Sequence, residues 1–333
     1  MHPTLQRWRD HSFTLSTLTY LVAQWQYRAG LRRHLSGATH RAWSVDAGVD
    51  YVERVFSDYL LFGRLTPEAL RGKRVLEVGP GDNLGVALMF AAHGASKVVC
   101  LDRFVAERDA AKANQIYLQL KSRLQRRGHN VAVDETLPDV ISVSAAAIES
   151  ARDMFPPRSF DLIVSRAVLE HVYDVPAAWR AMDALLVPGG KQLHKIDFRN
   201  HSLYHTLHPL FFLRIPEWLW QMVAAPDPTL NRQRAGAYEA LARRTASDYE
   251  IHVTHLALRD EELPHGAMMW PPDVTSVQRD VEQLEAYRRT LCEPFRSMSA
   301  PELLVAGIFL IATKSIQQSD RDSHEDVKTG AHG

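Results

Sequence analysis

Residues 74–85 have the sequence RVLEVGPGDNLG, in which a short apolar strand runs into a glycine-rich turn. Glycine carries no Cβ, so the backbone of such a turn can pass close to a ligand. A helix that begins at residue 84 would direct its free N–H groups toward the same place. Without a ligand, the same stretch would be a tight strand-to-helix turn. The stretch therefore predicts a strand, a loop and a helix, and it marks the loop as a candidate binding site.

Strands and helices alternate on both sides of this loop. Short segments with two apolar faces are typical of parallel strands that lie between layers of helices. The predicted strands of this alternating part are 74–78, 97–101, 140–143, 160–165 and 191–196, the helices are 84–93, 105–127 and 176–186, and a turn is predicted at 188–190. Two further strands are predicted at 249–254 and 307–313, with a helix near 281–291 between them. The pattern indicates an α/β fold with one sheet covered on both faces.

Three segments lie outside this alternation. Residues 1–68 form a predicted helical extension, with one helix at 50–61. Its first part, 1–45, carries six arginines against one aspartate and either packs on the main domain or forms a lid or a surface for an acidic partner or membrane. Residues 198–248 are rich in histidine, proline and aromatic side chains and predict a cap-like insertion after the fifth strand. The polar segment 317–333 is expected to be a disordered tail.

The composition narrows the class of protein. The 333 residues include 39 basic and 39 acidic side chains, so the chain lacks the basic excess of a dedicated nucleic-acid binder. Two cysteines cannot build a disulfide framework, which suits a reducing compartment. No apolar stretch is long and uninterrupted enough to span a bilayer. We therefore expect a soluble cytoplasmic protein with no nucleic-acid partner and no integral membrane segment.

Asp102 is the second feature of the candidate binding site. It ends the second predicted strand, about 20 residues after the glycine loop, where a carboxylate can accept both hydroxyls of a ribose. The loop differs from the dinucleotide fingerprint, because Leu84 stands where a third glycine would serve a pyrophosphate. The combination favours a nucleoside ligand without phosphates and argues against a nicotinamide-dependent oxidoreductase.

Five segments occur in the order typical of one enzyme family. They are VLEVGPG (75–81), VVCLD (98–102), FDLIVSRAVLEHV (160–172), LLVPGG (185–190) and GIFLIATK (307–314). On these segments the chain resembles the class I S-adenosylmethionine-dependent methyltransferases. The resemblance implies a Rossmann-like, mostly parallel sheet of seven strands with an antiparallel strand at 307–313. It also implies a methyltransferase domain over residues 69–316 and S-adenosyl-L-methionine as the cofactor.

The resemblance assigns cofactor-binding roles to the loop and its surroundings. Glu77 lies beneath the loop and orders it. Gly79, Pro80 and Gly81 offer backbone to the methionine portion, and Asp102 holds the ribose. These roles are carried over from the family and are expectations for this chain.

The remaining cofactor contacts are expected around the adenine ring and the methionine side. Arg103 packs beside the adenine. Ala147 and Ile148 border the ring, with backbone contact more important than a side chain, since an acid that many relatives carry in this loop is missing. Ser165 and Arg166 line the methionine side at the end of the fourth strand.

The acceptor should lie near the ends of the fourth and fifth strands, because ligands bind at that edge of a parallel sheet. His171 is either a base or part of the pocket floor. His194 or His201, oriented by Asp197, is another candidate base. These histidines and Asp197 could instead form a metal site, or simply tie down the insertion. Spacing alone does not show converging ligands, and no metal is expected.

The leading hypothesis is methyl transfer to oxygen of a small-molecule, saccharide or lipid-linked glycan acceptor, because a cap suits a bounded pocket. N-methylation of a small metabolite is the alternative reaction. The residues after the fourth strand, Ser165-Arg166-Ala167-Val168, lack the Asn-Pro-Pro-aromatic signature of amino-group methylation. A catalytically silent binding or scaffold subunit is the alternative class of protein, and a homodimer is left open.

Overall fold

The computed structural model describes residues 13–31, 42–103, 109–200, 207–224 and 230–316. Its centre is a seven-stranded sheet with the strand order β3-β2-β1-β4-β5-β7-β6. The strands are β1 (Arg74–Val78), β2 (Lys97–Asp102), β3 (Ile141–Ala145), β4 (Phe160–Arg166), β5 (Leu186–Asp197), β6 (Ala246–Leu256) and β7 (Val305–Lys314). Strand β7 is antiparallel to both of its neighbours, and the other pairs are parallel. The expected sheet is thereby confirmed.

Helices cover both faces of the sheet. They are α1 (Phe13–Arg28), α2 (Val45–Gly63), α3 (Gly85–Ala92), α4 (Ala110–Arg126), α5 (Val175–Leu185), α6 (Glu217–Ala224), α7 (Ala235–Thr245), α8 (Gln278–Arg288) and α9 (Ala300–Leu304). The apolar sides of α2, α3 and α4 share one core with one face of the sheet, and those of α5, α6 and α7 share the core of the other face. We call these the α2 face and the α5 face. None of the described helices is long and apolar enough to cross a membrane.

Period-two alternation in the strands decides which face each side chain meets. In β4, Leu162 and Val164 belong to the core of the α2 face, whereas Ile163 belongs to that of the α5 face. Strand β5 is longer than predicted, because the expected turn at 188–190 lies within it and is accommodated by a shift in register against β4.

Helix α2 is longer than its predicted range of 50–61 and belongs to the central domain. Ser44 caps its first turn by accepting a hydrogen bond from the backbone N–H of Ala47. Phe62 stacks on Phe309 of β7 with the ring centroids 4.1 Å apart. The second part of the predicted extension 1–68 therefore shares a core with the sheet, to which Val49, Val52 and Phe56 contribute.

The described parts of the predicted cap, 198–248, pack on the α5 face. Phe212 and Trp220 are almost completely buried in that core. Helix α7 leads directly into β6, which begins at Ala246 rather than at Tyr249. The predicted tail 317–333 and the first part of the helix predicted at 105–127 lie outside the described residues.

Candidate functional site

The glycine loop lies at the carboxyl edge of the sheet. The backbone N–H of Gly79 donates to the carbonyl oxygen of Leu101 at 2.8 Å, so the loop begins opposite the end of β2, where Asp102 stands. Gly79 and Gly81 have φ angles of 70° and 71°, a region that disfavours side chains. A Cβ on Gly79 would lie 2.4 Å from Cγ2 of Val168. The turn therefore requires glycine for its conformation and for its close approach to the segment after β4.

Two N–H groups at the start of α3 already have partners within the protein. The N–H of Leu84 donates to the hydroxyl of Tyr117 at 2.8 Å, and that of Gly85 donates to Oδ1 of Asn83 at 2.8 Å. A phosphate bound at a helix start would need such donors. The arrangement supports a ligand without phosphates at this loop.

Glu77 lies below the loop and is 6% exposed. Its carboxylate Oε2 is 3.5 Å from Sγ of Cys100, the neighbouring residue on β2. Burial raises the pKa of Tyr59 on α2, and the charge of Glu77 adds to that effect. Glu77 thus lies between the sheet and α2, and Pro80 is partly exposed in the loop itself.

The neighbouring edge offers a flat surface beside Asp102. The guanidinium carbon of Arg103 lies 4.4 Å from the centroid of the Tyr173 ring. Residues 146–148 close the other side: the N–H of Ala146 donates to the carbonyl of Asp102, and Ile148 is buried. Tyr173 adds an exposed aromatic ring that the sequence analysis missed, although it directly follows the motif at 160–172.

Ser165 and Arg166 point to opposite faces of the sheet. The Ser165 side chain is fully buried on the α5 face, with Oγ 2.8 Å from Nδ1 of His194. Arg166 lies on the α2 face, where Nη1 donates to Oδ2 of Asp58 at 2.5 Å. Its guanidinium carbon is also 5.6 Å from the ring centroid of Tyr51. The two side chains therefore do not line one surface together, and the methionine contact of each stays a prediction.

His194 lies away from the edge at which an acceptor would bind. It is fully buried, and its Nε2 is 3.0 Å from Oε1 of Gln192. Burial lowers the pKa of His194 to about 3. Asp197 is three residues further along the same strand and therefore faces the opposite side. The structure does not bring the predicted His194–Asp197 pair together, and His201 lies outside the described residues.

Asp197 is partly exposed on the α2 face, and its carboxylate holds Arg199 at 2.7 Å. Across β7, Asp197 and His255 are both register partners of Gly307. Burial, followed by the charge of Arg199, lowers the pKa of His255 to about 4, against the opposing charge of Asp197. The imidazole is therefore neutral near pH 7.

Lys195 lies between Arg166 on one side and Asp197 and His255 on the other. It is the register partner of Arg166 on β5, and its ammonium forms an ion pair with Glu262. Burial lowers the pKa of Lys195, and Arg166 adds to that effect. Six side chains at the carboxyl edge of β4–β6 influence one another electrostatically, and we call them the polar cluster. They are Asp58, Arg166, Lys195, Asp197, His255 and Glu262.

Glu170 and His171 follow β4 in the short turn Leu169–His171. Glu170 is 1% exposed, and its Oε1 accepts the backbone N–H of Asp197 at 3.3 Å. Burial, together with the charge of Asp197, raises the pKa of Glu170 well above its usual range. Glu170 thus ties the turn to the end of β5. His171 is partly exposed, in the same turn that faces Gly79 through Val168.

The sequence analysis missed four contributors to this region: Tyr51, Asp58, His255 and Glu262. The first two lie on a helix that sequence placed in an extension, and the last two depend on how β6 and its following loop fold back. Among the residues that the structure describes, no group of three or more histidine, cysteine, aspartate or glutamate side chains could hold a metal ion.

Comparison with known proteins adds a family match. A family model described as a methyltransferase domain matches residues 50–245, which is more than half of the chain. The matched part contains the glycine loop, Asp102, the turn after β4 and four members of the polar cluster. No curated protein matches the chain.

Several solved structures are similar at low identity. The YcgJ protein of Bacillus subtilis is 17% identical, with 74% of this chain and 93% of that chain covered and a TM-score of 0.38. An S-adenosylmethionine-dependent methyltransferase from Mesorhizobium loti is 16% identical, covers 77% of this chain and 97% of its own, and has a TM-score of 0.39. A phosphoethanolamine N-methyltransferase of Haemonchus contortus, solved with S-adenosylhomocysteine, is 16% identical, with 86% and 61% covered and a TM-score of 0.41.

Proposed function

This chain belongs to the methyltransferase-domain family as a class I S-adenosylmethionine-dependent methyltransferase, and we propose that it methylates a hydroxyl oxygen of a small-molecule or glycan-type acceptor. The observation that carries the proposal is the polar cluster beside the glycine loop. Its side chains offer hydrogen-bond donors and acceptors close together at the edge where ligands of such sheets bind.

The glycine loop and its surroundings fit the cofactor of this family. Gly79 and Gly81 give the loop its positive-φ turn at the carboxyl edge of the sheet, and Asp102 beside it can accept hydrogen bonds from ribose hydroxyls. The ring of Tyr173, with Arg103 packed against it, offers a flat face for the adenine. S-adenosylmethionine, when bound, supplies a methyl group that is already activated on a positively charged sulfur. The protein must then align the acceptor oxygen and exclude water.

Several features of the polar cluster suit a polyhydroxylated acceptor. Asp58 and Glu262 hold Arg166 and Lys195 in place, so the two cations are preorganised donors for acceptor hydroxyls. Each carboxylate in turn can accept a hydroxyl hydrogen. Since each cation is paired with a carboxylate, the cluster favours a neutral polar molecule such as a saccharide over a strongly charged one.

A hydroxyl acceptor also needs a base that takes its proton, whereas an amine acceptor depends less on such a base. We assign this role to His255, because it is the imidazole of the polar cluster, it is paired through Gly307 with the end of β5, and the charges of Asp197 and Glu262 favour its protonated form. The hydroxyl proton passes to the imidazole as the oxygen takes the methyl group. His171 is the second candidate, since it lies in the turn that touches the glycine loop.

The first test is calorimetric titration of the purified chain with S-adenosylmethionine and with S-adenosylhomocysteine, where micromolar binding is expected. Transfer of a labelled methyl group is then measured with saccharides, lipid-linked glycans, phenols and amines. Incorporation into hydroxyl compounds supports the proposal, whereas incorporation into amines alone contradicts it. His255→Gln should lower kcat by roughly a hundredfold, the lower end of general-base effects, with unchanged affinity for S-adenosylhomocysteine. His265→Gln, on the exposed loop after β6, is the matched control.

A further inference from the structure

Helix α1 exposes an apolar stripe on its outer side. Leu15, Leu18, Val22 and Trp25 are 45%, 55%, 53% and 62% exposed. Their spacing of three, four and three residues places them along one face of the helix. Because they are this exposed, the stripe does not serve the core of the described chain.

The opposite side of α1 is anchored to the protein. Tyr20 and Leu21 pack against the core of the α5 face. The amide of Gln24 is buried and donates from Nε2 to the carbonyl oxygen of Val223 on α6 at 3.1 Å. The helix is therefore held in a defined orientation, with one side on the body of the protein and the stripe turned outward.

Helix α6, which α1 contacts, exposes apolar side chains of its own. Trp218 and Met222 are one helical turn apart and are 64% and 48% exposed. The ring of Phe13 also lies 5.7 Å from that of Phe211, just before α6. Two helices joined by side-chain contacts thus present six exposed apolar residues, which we call the apolar face. They are Leu15, Leu18, Val22, Trp25, Trp218 and Met222.

The charge distribution of the sequence indicates what covers this face. Residues 13–27 contain no charged side chain, and arginine dominates the sequence on both sides of them. The arginines of residues 1–41 are at positions 7, 9, 28, 32, 33 and 41, and Asp10 is the only acid there. The whole chain has no net charge, so the basic excess of residues 1–41 is a local feature of the sequence around α1.

A second copy of the chain is a poor occupant for this face. If two α1 helices paired, in either direction, basic sequence would meet basic sequence at both ends. No carboxylate within the helix could offset that repulsion. Anionic headgroups would instead neutralise the arginines, while leucine and tryptophan side chains enter the boundary between headgroups and acyl chains.

We propose that the apolar face docks this protein onto an anionic lipid bilayer, with α1 and α6 lying in the interface. The inference does not depend on the proposed reaction. If the acceptor is lipid-linked, the bound enzyme and its acceptor would share the same bilayer surface.

The test is co-sedimentation of the full chain with vesicles of phosphatidylcholine alone and of equal parts phosphatidylcholine and phosphatidylglycerol. We expect binding to the mixed vesicles, little binding to phosphatidylcholine, and weakening in high salt. The double variant Leu18→Glu/Trp25→Glu should bind at least about tenfold more weakly. Leu61→Glu, at a site on α2 that is 53% exposed and outside the face, should bind like the wild type.

Three results would overturn the proposal. The first is failure of the wild type to bind the mixed vesicles, and the second is equal binding by the double variant. The third is a dimer in light scattering that Leu18→Glu/Trp25→Glu converts to a monomer, which would assign the face to a second copy. Calorimetric binding of S-adenosylhomocysteine by the double variant shows that it is folded and keeps this test separate from the proposed reaction.

Discussion

Gly307 lies so close to His255 that a Cβ built on the glycine would come within 2.9 Å of the imidazole Nδ1. The same Cβ would be 2.8 Å from Oγ1 of Thr254. Real side chains do not approach so closely, so the lack of a side chain at position 307 permits the position of the imidazole. Because Gly307 is also paired with Asp197, it connects the candidate base to the end of β5.

Gly307→Ala should therefore displace the His255 ring and lower kcat. If His255 is the base, the loss should approach that of His255→Gln, roughly a hundredfold. Affinity for S-adenosylhomocysteine should stay unchanged, because the glycine loop is on another strand. Steady-state kinetics and calorimetry measure the two quantities. Full activity in a variant with a normal melting temperature would remove His255 from the mechanism.

Gly79→Ala should abolish measurable cofactor binding, because its Cβ would collide with Val168 in addition to straining the backbone. Gly128→Ala is the matched control, since Gly128 also has a positive φ angle but nothing within 4 Å of the added Cβ. Adding Val168→Ala removes the two colliding methyl groups and should restore part of the binding. Calorimetric titration of the three variants measures this, and equal losses at positions 79 and 128 would contradict the steric argument.

Asp102→Ala should weaken binding of S-adenosylhomocysteine by one to two orders of magnitude. The change removes charged hydrogen bonds to the ribose, each worth about 1.5–3 kcal/mol. Asp139→Ala, at an exposed acid before β3, should bind normally. Unchanged affinity in Asp102→Ala, measured by calorimetry, would show that another group holds the ribose.

The pH dependence of stability should contain a contribution from His194. Burial holds the pKa of His194 at about 3, against an ordinary value of 6.5 for histidine. As the pH falls below that ordinary value, His194 binds a proton in the unfolded chain but not in the folded chain. The free energy of unfolding therefore decreases. The slope from one such group is at most about 1.4 kcal/mol per pH unit.

His194→Gln should therefore lose less stability than the wild type between about pH 6 and pH 4, as measured by urea unfolding at each pH. The contribution of His255 has the same sign and remains in the variant, so the difference in slope isolates His194. If His194→Gln and the wild type had the same slope, the ring would not be held neutral by burial.

The strands, the glycine loop and the position of Asp102 could all be predicted from sequence, because apolar segments, glycines and strand ends are local signals. The prediction that Asp197 orients His194 was wrong, and the sequence itself contains the reason. Residues three apart in a strand point to opposite faces, and the alternation of β5 places His194 in the core. The same alternation places the side chain of Lys195 on the same face as that of Asp197.

His255 and Asp58 could not be found in this way. The position of His255 depends on an irregularity in β6 near residues 253–255 and on a glycine in the neighbouring strand, more than fifty residues later. Asp58 reaches Arg166 only because α2 packs across the sheet. Both relationships are products of tertiary packing, which patterns within a short segment do not encode.

The placement of β7 has a consequence for synthesis of the chain. This strand is the seventh in sequence, yet it lies between β5 and β6 and provides hydrogen-bonding partners to both. Until the ribosome has released residues 305–314, β5 and β6 lack the hydrogen-bonding partner that β7 later provides. Phe62 lacks the Phe309 ring on which it stacks. The final sheet therefore closes only after nearly the whole domain has been translated, and the nascent chain must keep two strand edges from pairing with other chains until then.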